Sequence, residues 1–345
     1  MAPPPRTLLV ANPTAQSGKN AERIERARAF LDASGVEHVF EPTRPASETV
    51  AAVAALLRSE PFGTVIYMGG DGTFAEVAKA IIASGRADHV RLGMLPTGTA
   101  NDQGKSFGLS SEPAALEANV AVIADARETR LDVGKLTAFD DANRLVREDL
   151  FFDSAGWGVS PRVLALRNED RKTIASIPIV RDVYRDQMVY AGALLRTFVN
   201  SYTENDAFDV EGTVDGQPVR YRGLTDLIVK GTRIYGGIWV LDPKAKPDDG
   251  RFELVPFAER ADWFSKALVH LEHTGMFESA LASIGVTHSK GTSGAVMDLT
   301  FVEHPGALPI RAQIDGEEFP TSARIRIEVL PRLLRLIVPA QYATA

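Results

Sequence analysis

Two glycine-rich turns and one acidic turn hold the residues whose types and spacing best suit chemistry. Gly69-Gly70-Asp71-Gly72-Thr73 follows directly on Thr64-Val65-Ile66-Tyr67-Met68, an apolar, β-branched run of the kind that forms a buried strand. From Thr73 to Ile82 apolar residues recur at helical spacing, with Val77, Ile81 and Ile82 along one face. Strand, tight turn and helix start present free backbone N–H groups to a phosphate. The glycines permit positive φ and let an anion approach where a Cβ would block it. Asp71 is out of place if anion binding is the whole task. A carboxylate there repels phosphate unless it handles a metal, a proton or a ribose hydroxyl.

The second glycine turn, Pro96-Thr97-Gly98-Thr99-Ala100-Asn101-Asp102, follows the short apolar run Arg91 to Leu95. Thr97, Thr99 and Asn101 offer hydrogen bonds to a nucleotide and Asp102 is another carboxylate; an Asn-Asp helix cap reads the same way. Asn12-Pro13-Thr14-Ala15-Gln16-Ser17-Gly18, after Leu8 to Ala11, is a weaker loop of the same kind, and a plain strand-to-helix connection would look alike. The acidic turn is Gln313-Ile314-Asp315-Gly316-Glu317-Glu318. An Asp-Gly hairpin explains it, yet its carboxylates are a natural place for a general base. The loop from Leu241 to Gly250 carries Asp248 and Asp249, which with flanking carbonyls suit a hard cation such as Mg²⁺. An Asp-Gly turn is the simpler account of it.

The elements that must position these turns alternate. Leu8–Ala11, Val36–Phe40 and Thr64–Met68 read as strands, and residues 20–33, 46–59 and 73–82 as helices. That order predicts a parallel, doubly wound α/β sheet with its ligand at the strand C-termini. Residues 112–124 are helical. After them β patterns dominate: Val146–Phe152, Val210–Val214, Val219–Lys230, Gly237–Leu241, Phe252–Pro256, Met297–Glu303 and Ile310–Ile314. They predict an antiparallel β domain, a sandwich in form. A helical insertion at 161–200 interrupts it, with Tyr184, Met188, Ala191, Leu195 and Phe198 as an apolar stripe. It is either a surface helix on the β core, or a gate over an acyl-chain pocket or a membrane-facing helix. Ile325–Leu330 and Leu333–Val338 are strand-like again. The domains are therefore 1–135 and 136–320, with 321–345 packing back toward the first.

The 345 residues can hold two ordinary domains, and 45% hydrophobic with 24% charged residues is a soluble globular composition. A net charge of −7 gives no reason to expect nucleic acid as partner. The lack of any cysteine excludes disulfides, thiolate metal sites and a cysteine nucleophile. Met1 to Arg6 lacks the apolar core of a signal peptide. No window approaches the roughly 18 apolar residues that cross a bilayer. The expectation is a cytoplasmic protein that meets any membrane from its surface, peripherally at the inner face. A homodimer is compatible with all of this.

Gly69-Gly70-Asp71-Gly72-Thr73, Gly98-Thr99-Ala100-Asn101-Asp102, Tyr235-Gly236-Gly237 with Asp249-Gly250, and Asp315-Gly316-Glu317 occur in the order of one family. The chain resembles, over nearly its whole length, the diacylglycerol kinase catalytic-domain family, which includes bacterial soluble lipid kinases and sphingosine and ceramide kinases. The resemblance implies a nucleotide domain similar to that of NAD kinases and 6-phosphofructokinases, with a β-sandwich domain behind it. It implies ATP against Asn12, Pro13, Ser17, Gly18, Thr43, Gly70, Asp71, Gly72, Thr73, Phe74, Ala75, Glu76, Thr99 and Asn101. Asp71, Asp102 and Asp132 look like the acids that organise catalytic Mg²⁺. Glu317 looks like the proton acceptor, with Asp315 beside it. Asp249, with the carbonyls of Lys246 and Arg251, is similar to a structural Mg²⁺ site.

The resemblance thus implies an ATP- and Mg²⁺-dependent kinase for the hydroxyl of a diacylglycerol-like lipid. A kinase for a sphingoid base or a soluble alcohol, and a nucleotide-binding module without turnover, are the alternatives. No Walker-type Gly-x-x-x-x-Gly-Lys-Ser/Thr is present, so the phosphate cradle differs from that of P-loop enzymes. Ala75, Asp153 and Lys230 stand where the family commonly has Asn, and the Asn12 loop carries an extra residue before Ser17-Gly18.

Overall fold

A computed structural model describes residues 6–13, 19–45, 48–98, 100–161, 207–235, 239–240, 245–258 and 291–343. The front half runs β1 (Arg6–Ala11), α1 (Lys19–Ala33), β2 (His38–Pro42), α2 (Glu48–Ser59), β3 (Phe62–Gly69), α3 (Asp71–Ala83), β4 (Arg91–Pro96), α4 (Asp102–Ser106) and α5 (Leu116–Asp125). Its four strands are parallel in the order β2-β1-β3-β4. Strand alternation gives each face its own core. Leu8, Val10, Val65, Tyr67, Leu92 and Met94 point to α2 and α3. Leu9, Ala11, Ile66, Met68 and Leu95 point to α1 and α5. The sheet is doubly wound, as the alternation of elements predicts. Because β2 lies to one side of β1 and β3 to the other, the order reverses between β1 and β3. Ligands bind at such a crevice, and the Asn12 and Gly69–Gly72 loops lie on its two sides.

The back half contains β5 (Glu128–Phe139), β6 (Leu145–Phe151), β7 (Ser154–Gly158), β8 (Phe208–Val214), β9 (Gln217–Leu224), β10 (Asp226–Lys230), β11 (Ile234–Tyr235) and β12 (Trp239–Val240). It ends with β13 (Phe252–Phe257), β14 (Thr292–Gly294), β15 (Val296–Glu303), β16 (Ala312–Ile314), β17 (Glu317–Phe319) and β18 (Arg324–Ile337). A six-stranded antiparallel sheet, β14-β13-β10-β7-β16-β17, faces the distal part of the ten-stranded sheet that continues from β4. Trp157, Leu227, Val229, Leu254 and Ala312 of the small sheet close one core with Leu136, Val210, Met297, Leu299, Ile325 and Ile327 of the large one. Two sheets over a shared core make the expected sandwich.

Two strands serve both halves. β5 gives Leu131 and Val133 to the front core, then Leu136 and Ala138 to the sandwich core. β18 gives Ile325 and Ile327 to the sandwich core and Leu334 and Leu336 to the front one, pairing parallel with β4 at Arg335 and Leu336. The two strand-like runs expected at 325–338 are one strand with a register shift between Leu330 and Leu334, where Arg332 has φ 53°. That is a bulge. Conversely, the run Val219–Lys230 is two strands. The chain leaves the large sheet near Gly223, at φ 60°, and enters the small sheet at Asp226. The segment expected as a helical insertion, 161–200, lies outside the described residues after Pro161.

The glycines of the two front turns are set by contact. A Cβ on Gly98 would sit 2.5 Å from the Gly70 Cα and 2.9 Å from Asn101 Oδ1. A Cβ on Gly69 would overlap the Thr73 side chain. Gly98→Ala is therefore expected to cost about 1–3 kcal/mol by forcing the two turns apart. Gly35→Ala, at φ +72° with no atom within 4 Å, is expected to cost only the left-handed penalty of about 1–2 kcal/mol. Urea denaturation of both variants checks this.

Candidate active site

Helix α3 begins at Gly70, and no side chain caps its first turn. Its first turn follows directly on the C-terminal end of β3, beside the β1/β3 crevice, and a helix start there favours an anion. The turn behind it is tied down: Thr97 N and Gly98 N donate to Gly69 O at 2.7 and 3.2 Å. Asn101, fully buried and left-handed at φ 54°, accepts from Gly98 N at 2.9 Å and donates Nδ2–H to Gly98 O at 2.7 Å. Asn101 is thus spent on holding the loop that carries Thr99; Thr99, Ser17 and Gly18 themselves lie outside the described residues.

The acidic turn comes from the other half. β16 and β17 pair with Ile314 opposite Glu317, and Asp315 and Gly316 have φ 47° and 79°, the signature of a two-residue type I′ hairpin. The Asp315 carboxylate accepts three backbone N–H groups: Phe152 at 2.9 Å, Asp153 at 2.8 Å and Ser154 at 3.1 Å. That fixes the hairpin, and Glu317 leaves it toward the front half. Glu317 Oε1 lies 4.0 Å from the point where a Cβ on Gly72 would stand. Glu317 also presses electrostatically on Glu76, whose pKa burial first of all, and then Glu317, push upward. Glu317 and the Asp71–Glu76 turn therefore share one cleft.

One residue that the motifs did not single out joins these parts. Gln103, in the first turn of α4 and 1% exposed, donates its backbone N–H to Asp71 Oδ1 at 3.3 Å. Its Nε2 donates to the Phe152 carbonyl at 2.6 Å. Phe152 N–H in turn holds Asp315. Behind the cleft Tyr67, Phe74 and Phe152 stack edge to face at 5.4 and 5.7 Å, and Lys79 of α3 pairs with Asp149 of β6 at 2.6 Å. The only hint of Gln103 in the sequence is its place directly after Asn101-Asp102.

The carboxylates are electrostatically strained. Burial, then the charge of Asp153, raise Asp71 to about 6 against the pull of backbone N–H groups from Gln103 and Asn101. Burial and Asp153 likewise raise Asp315 to about 7. Asp102 is buried at the start of α4, on the side of Tyr235. Asp132 keeps other company. Its oxygens accept from Arg332 N and Gly250 N, both at 2.6 Å, while its own N–H donates to Pro247 O at 2.7 Å. Burial first, with Asp249 and Asp248 adding to it, raises its pKa. The structure thus groups Asp132 with the 247–250 loop, where the resemblance had grouped it with Asp71 and Asp102. At that loop Asp249 Oδ1 accepts from Arg251 N at 3.1 Å, and Asp249, Lys246 and Arg251 are exposed. Thr43 N–H donates to Ala11 O at 2.9 Å, Asn12 O accepts from Asn20 Nδ2 at 2.6 Å, and Pro13 borders a 240 Å³ cavity against α1 and Phe40. Ala75 is half-buried against the front core. Among the described residues no group of three or more His, Asp or Glu side chains is arranged to hold a metal.

With this geometry in view, residues 6–136 match the family model described as the diacylglycerol kinase catalytic domain. Over that stretch the chain is similar to this family. A relative from Pseudomonas aeruginosa named "Probable lipid kinase YegS-like" is 27% identical over 280 residues, 81% of this chain and 78% of that one. Among solved structures, a diacylglycerol kinase from Bacillus anthracis superposes with TM-score 0.67 at 18% identity, covering 97% and 98% of the two chains. Yeast NADH kinase superposes with TM-score 0.52 at 7% identity, covering 99% of this chain and 85% of that one. At these identities the structures speak for the fold, and the likeness to the family and the NAD kinase-like fold that it implies are borne out.

The raised carboxylates carry a consequence for stability. A carboxyl whose folded pKa lies above its unfolded value contributes stability that is fully present below the unfolded pKa, near 4, and lost as pH rises through the folded one. For Asp71 and Asp315 that window runs from about 4 to about 6 and about 7. Urea midpoints are therefore expected to decline between pH 5 and pH 8, and Asp315→Asn is expected to flatten that decline. An equally steep decline in the variant would assign it to other groups.

Proposed function

We propose that the chain transfers the γ-phosphoryl group of ATP to the hydroxyl of a diacylglycerol-like lipid. The observation that carries the reading is the Glu317 carboxylate facing the uncapped start of α3 across one cleft. Phosphoryl transfer needs few parts: a cradle for the phosphates, neutralisation of their charge, and a group that takes the proton from the attacking hydroxyl. The Gly70–Thr73 backbone N–H groups supply the cradle, because glycine leaves the approach open. Glu317 is the base. As the lipid oxygen bonds to the γ-phosphorus, its proton passes to Glu317 and the bond to the leaving ADP oxygen breaks. The remaining ATP contacts fall to the Asn12–Gly18 loop, Thr43, Ala75, Glu76 and Thr99, while buried Asn101 and Phe74 support the turns from behind.

Asp71 is the residue that would hold catalytic Mg²⁺, with Asp102 nearby on the second turn. The donor set fits, since Mg²⁺ keeps most of its waters and asks for only one or two carboxylates beside the phosphates. When bound, the ion neutralises charge on the phosphate oxygens. Asp249, with the carbonyls of Lys246 and Arg251, is the proposed structural cation position, and the mutual repulsion of Asp132, Asp248 and Asp249 suits a cation there. No helix among the described residues is long and apolar enough to cross a membrane.

A γ-phosphate transfer assay with Mg²⁺ and ATP, run against diacylglycerol, a sphingoid base and soluble alcohols, tests the proposal. Diacylglycerol is expected to be labelled, and preference for another alcohol would replace the acceptor. Glu317→Gln is expected to lower kcat by about 10²–10⁴-fold while leaving the nucleotide Kd in place; turnover at the parental rate dismisses Glu317 as the base. Mg²⁺ binding by the nucleotide-free protein is also expected to weaken as pH drops through about 6, where Asp71 takes up its proton in the absence of metal.

A further inference from the structure

Two buried residues of opposite charge lie between the halves, and the reaction above uses neither. Lys230, the last residue of β10, is 1% exposed. Its Nζ donates to both carboxylate oxygens of Asp153 at 2.8 Å and to the Ile234 carbonyl at 2.5 Å. Asp153, 4% exposed, also accepts from Thr232 Oγ1. Such a pair is a poor source of stability, because stripping both ions of water costs about as much as their attraction returns. Apolar side chains would fill the same space. Its placement points to another purpose.

Asp153 is the middle residue of the three whose N–H groups hold Asp315. The grip is reciprocal, since Asp315 N–H donates to Ser154 O at 2.8 Å. The 152–154 peptide is therefore held on one side by Lys230, through the Asp153 side chain. On its other side it holds the turn that leads into Glu317. The same network reaches the front half. Thr232 Oγ1 meets Ser106 Oγ at 3.4 Å, and Ile234 N–H donates to Ser106 Oγ at 3.1 Å. Ser106 ends the short helix whose Gln103 holds both Asp71 and the Phe152 carbonyl. Both charged positions stand where Asn is common in the resembling family, and here they are each other's partner. Either charge alone would be buried without a counter-ion.

We infer that Asp153 and Lys230 form one positioning unit, an ion pair that fixes the 152–154 peptide and through it the hairpin aiming Glu317 at the Gly70–Thr73 turn. The kinetic part of this inference rests on the proposed reaction; the structural part does not. Asp153→Asn, Lys230→Asn and the double variant Asp153→Asn/Lys230→Asn form the test, read by amide hydrogen exchange and by transfer kinetics. Each single variant is expected to speed exchange of the Phe152, Asp153 and Ser154 amides about tenfold or more, because those amides lose a fixed acceptor geometry. Each is expected to lower kcat about 10- to 100-fold through misplacement of Glu317, with KM for ATP moved by less than about threefold. In the double variant two amides can hydrogen-bond without charge, and both readouts are expected to return to within about fivefold of the parent, a non-additivity that only contacting residues show.

A double variant as impaired as the product of the singles overturns the inference. So do exchange changes confined to the neighbourhood of residue 230 while the 152–154 amides stay as they were. If a single variant fails to fold, a folded double carries the same coupling, and an unfolded double overturns it. If the parent labels no alcohol, the proposed reaction fails, and the exchange arm still decides the role of the pair.

Discussion

The structure depends on one glutamine that faces two ways. Gln103 gives its backbone N–H to Asp71, in the front half, and its side-chain amide to the Phe152 carbonyl, in the back half. Phe152 passes the connection to Asp315 through its own N–H. Neither bond is strong alone, since a net hydrogen bond contributes about 1 kcal/mol. Their value is geometric. Together they fix how far a carboxylate on a β-hairpin stands from the first turn of a helix in a different layer. Glycines do the complementary work: Gly70 and Gly98 let two loops touch where any side chain would hold them apart.

Charge is concentrated around that contact. Burial and the charge of Asp153 raise the proton affinity of Asp71 and of Asp315, and the buried cation Lys230 stands against Asp153. A cluster of this kind is costly for folding and useful for chemistry, because a site that disfavours its own negative charge welcomes a cation or a proton. The fold tolerates it by surrounding each carboxylate with backbone N–H groups: three on Asp315, and those of Gln103 and Asn101 on Asp71.

Much of this was legible in the sequence, and the limits have physical causes. The front half was readable because strand and helix periodicities differ and glycine turns punctuate them, so β3, Gly69–Gly72 and α3 stand where their residues say. The pairing of Asp315-Gly316 as a tight hairpin was likewise written in local turn chemistry. What could not be read was anything that joins distant segments. The family resemblance grouped Asp132 with Asp71 and Asp102, and no local feature of the sequence says otherwise. Only the ladder between β5 and the bulged β18 turns it toward Gly250 and Arg332. Asp153 and Lys230 looked like two separate oddities, 77 residues apart in the chain, until the β7–β10 ladder set Lys230 opposite Ser154. The sheet change near Gly223 was hidden because Val219–Lys230 keeps its apolar character across the corner.

The two shared strands limit how such a molecule can move. β5 and β18 run paired through both cores, from Phe139 opposite Arg324 to Glu128 opposite Ile337. The pairing is interrupted at the Leu330–Leu334 bulge, between the stretch that lines the sandwich core and the stretch that lines the front core, so a swing of the halves has to bend the two strands there while the ladder on either side stays paired. Relative motion of the halves is therefore channelled to that one bend. The reach of the Glu317 hairpin toward the Gly70–Thr73 turn is then set chiefly by the angle at a three-residue bulge far from both.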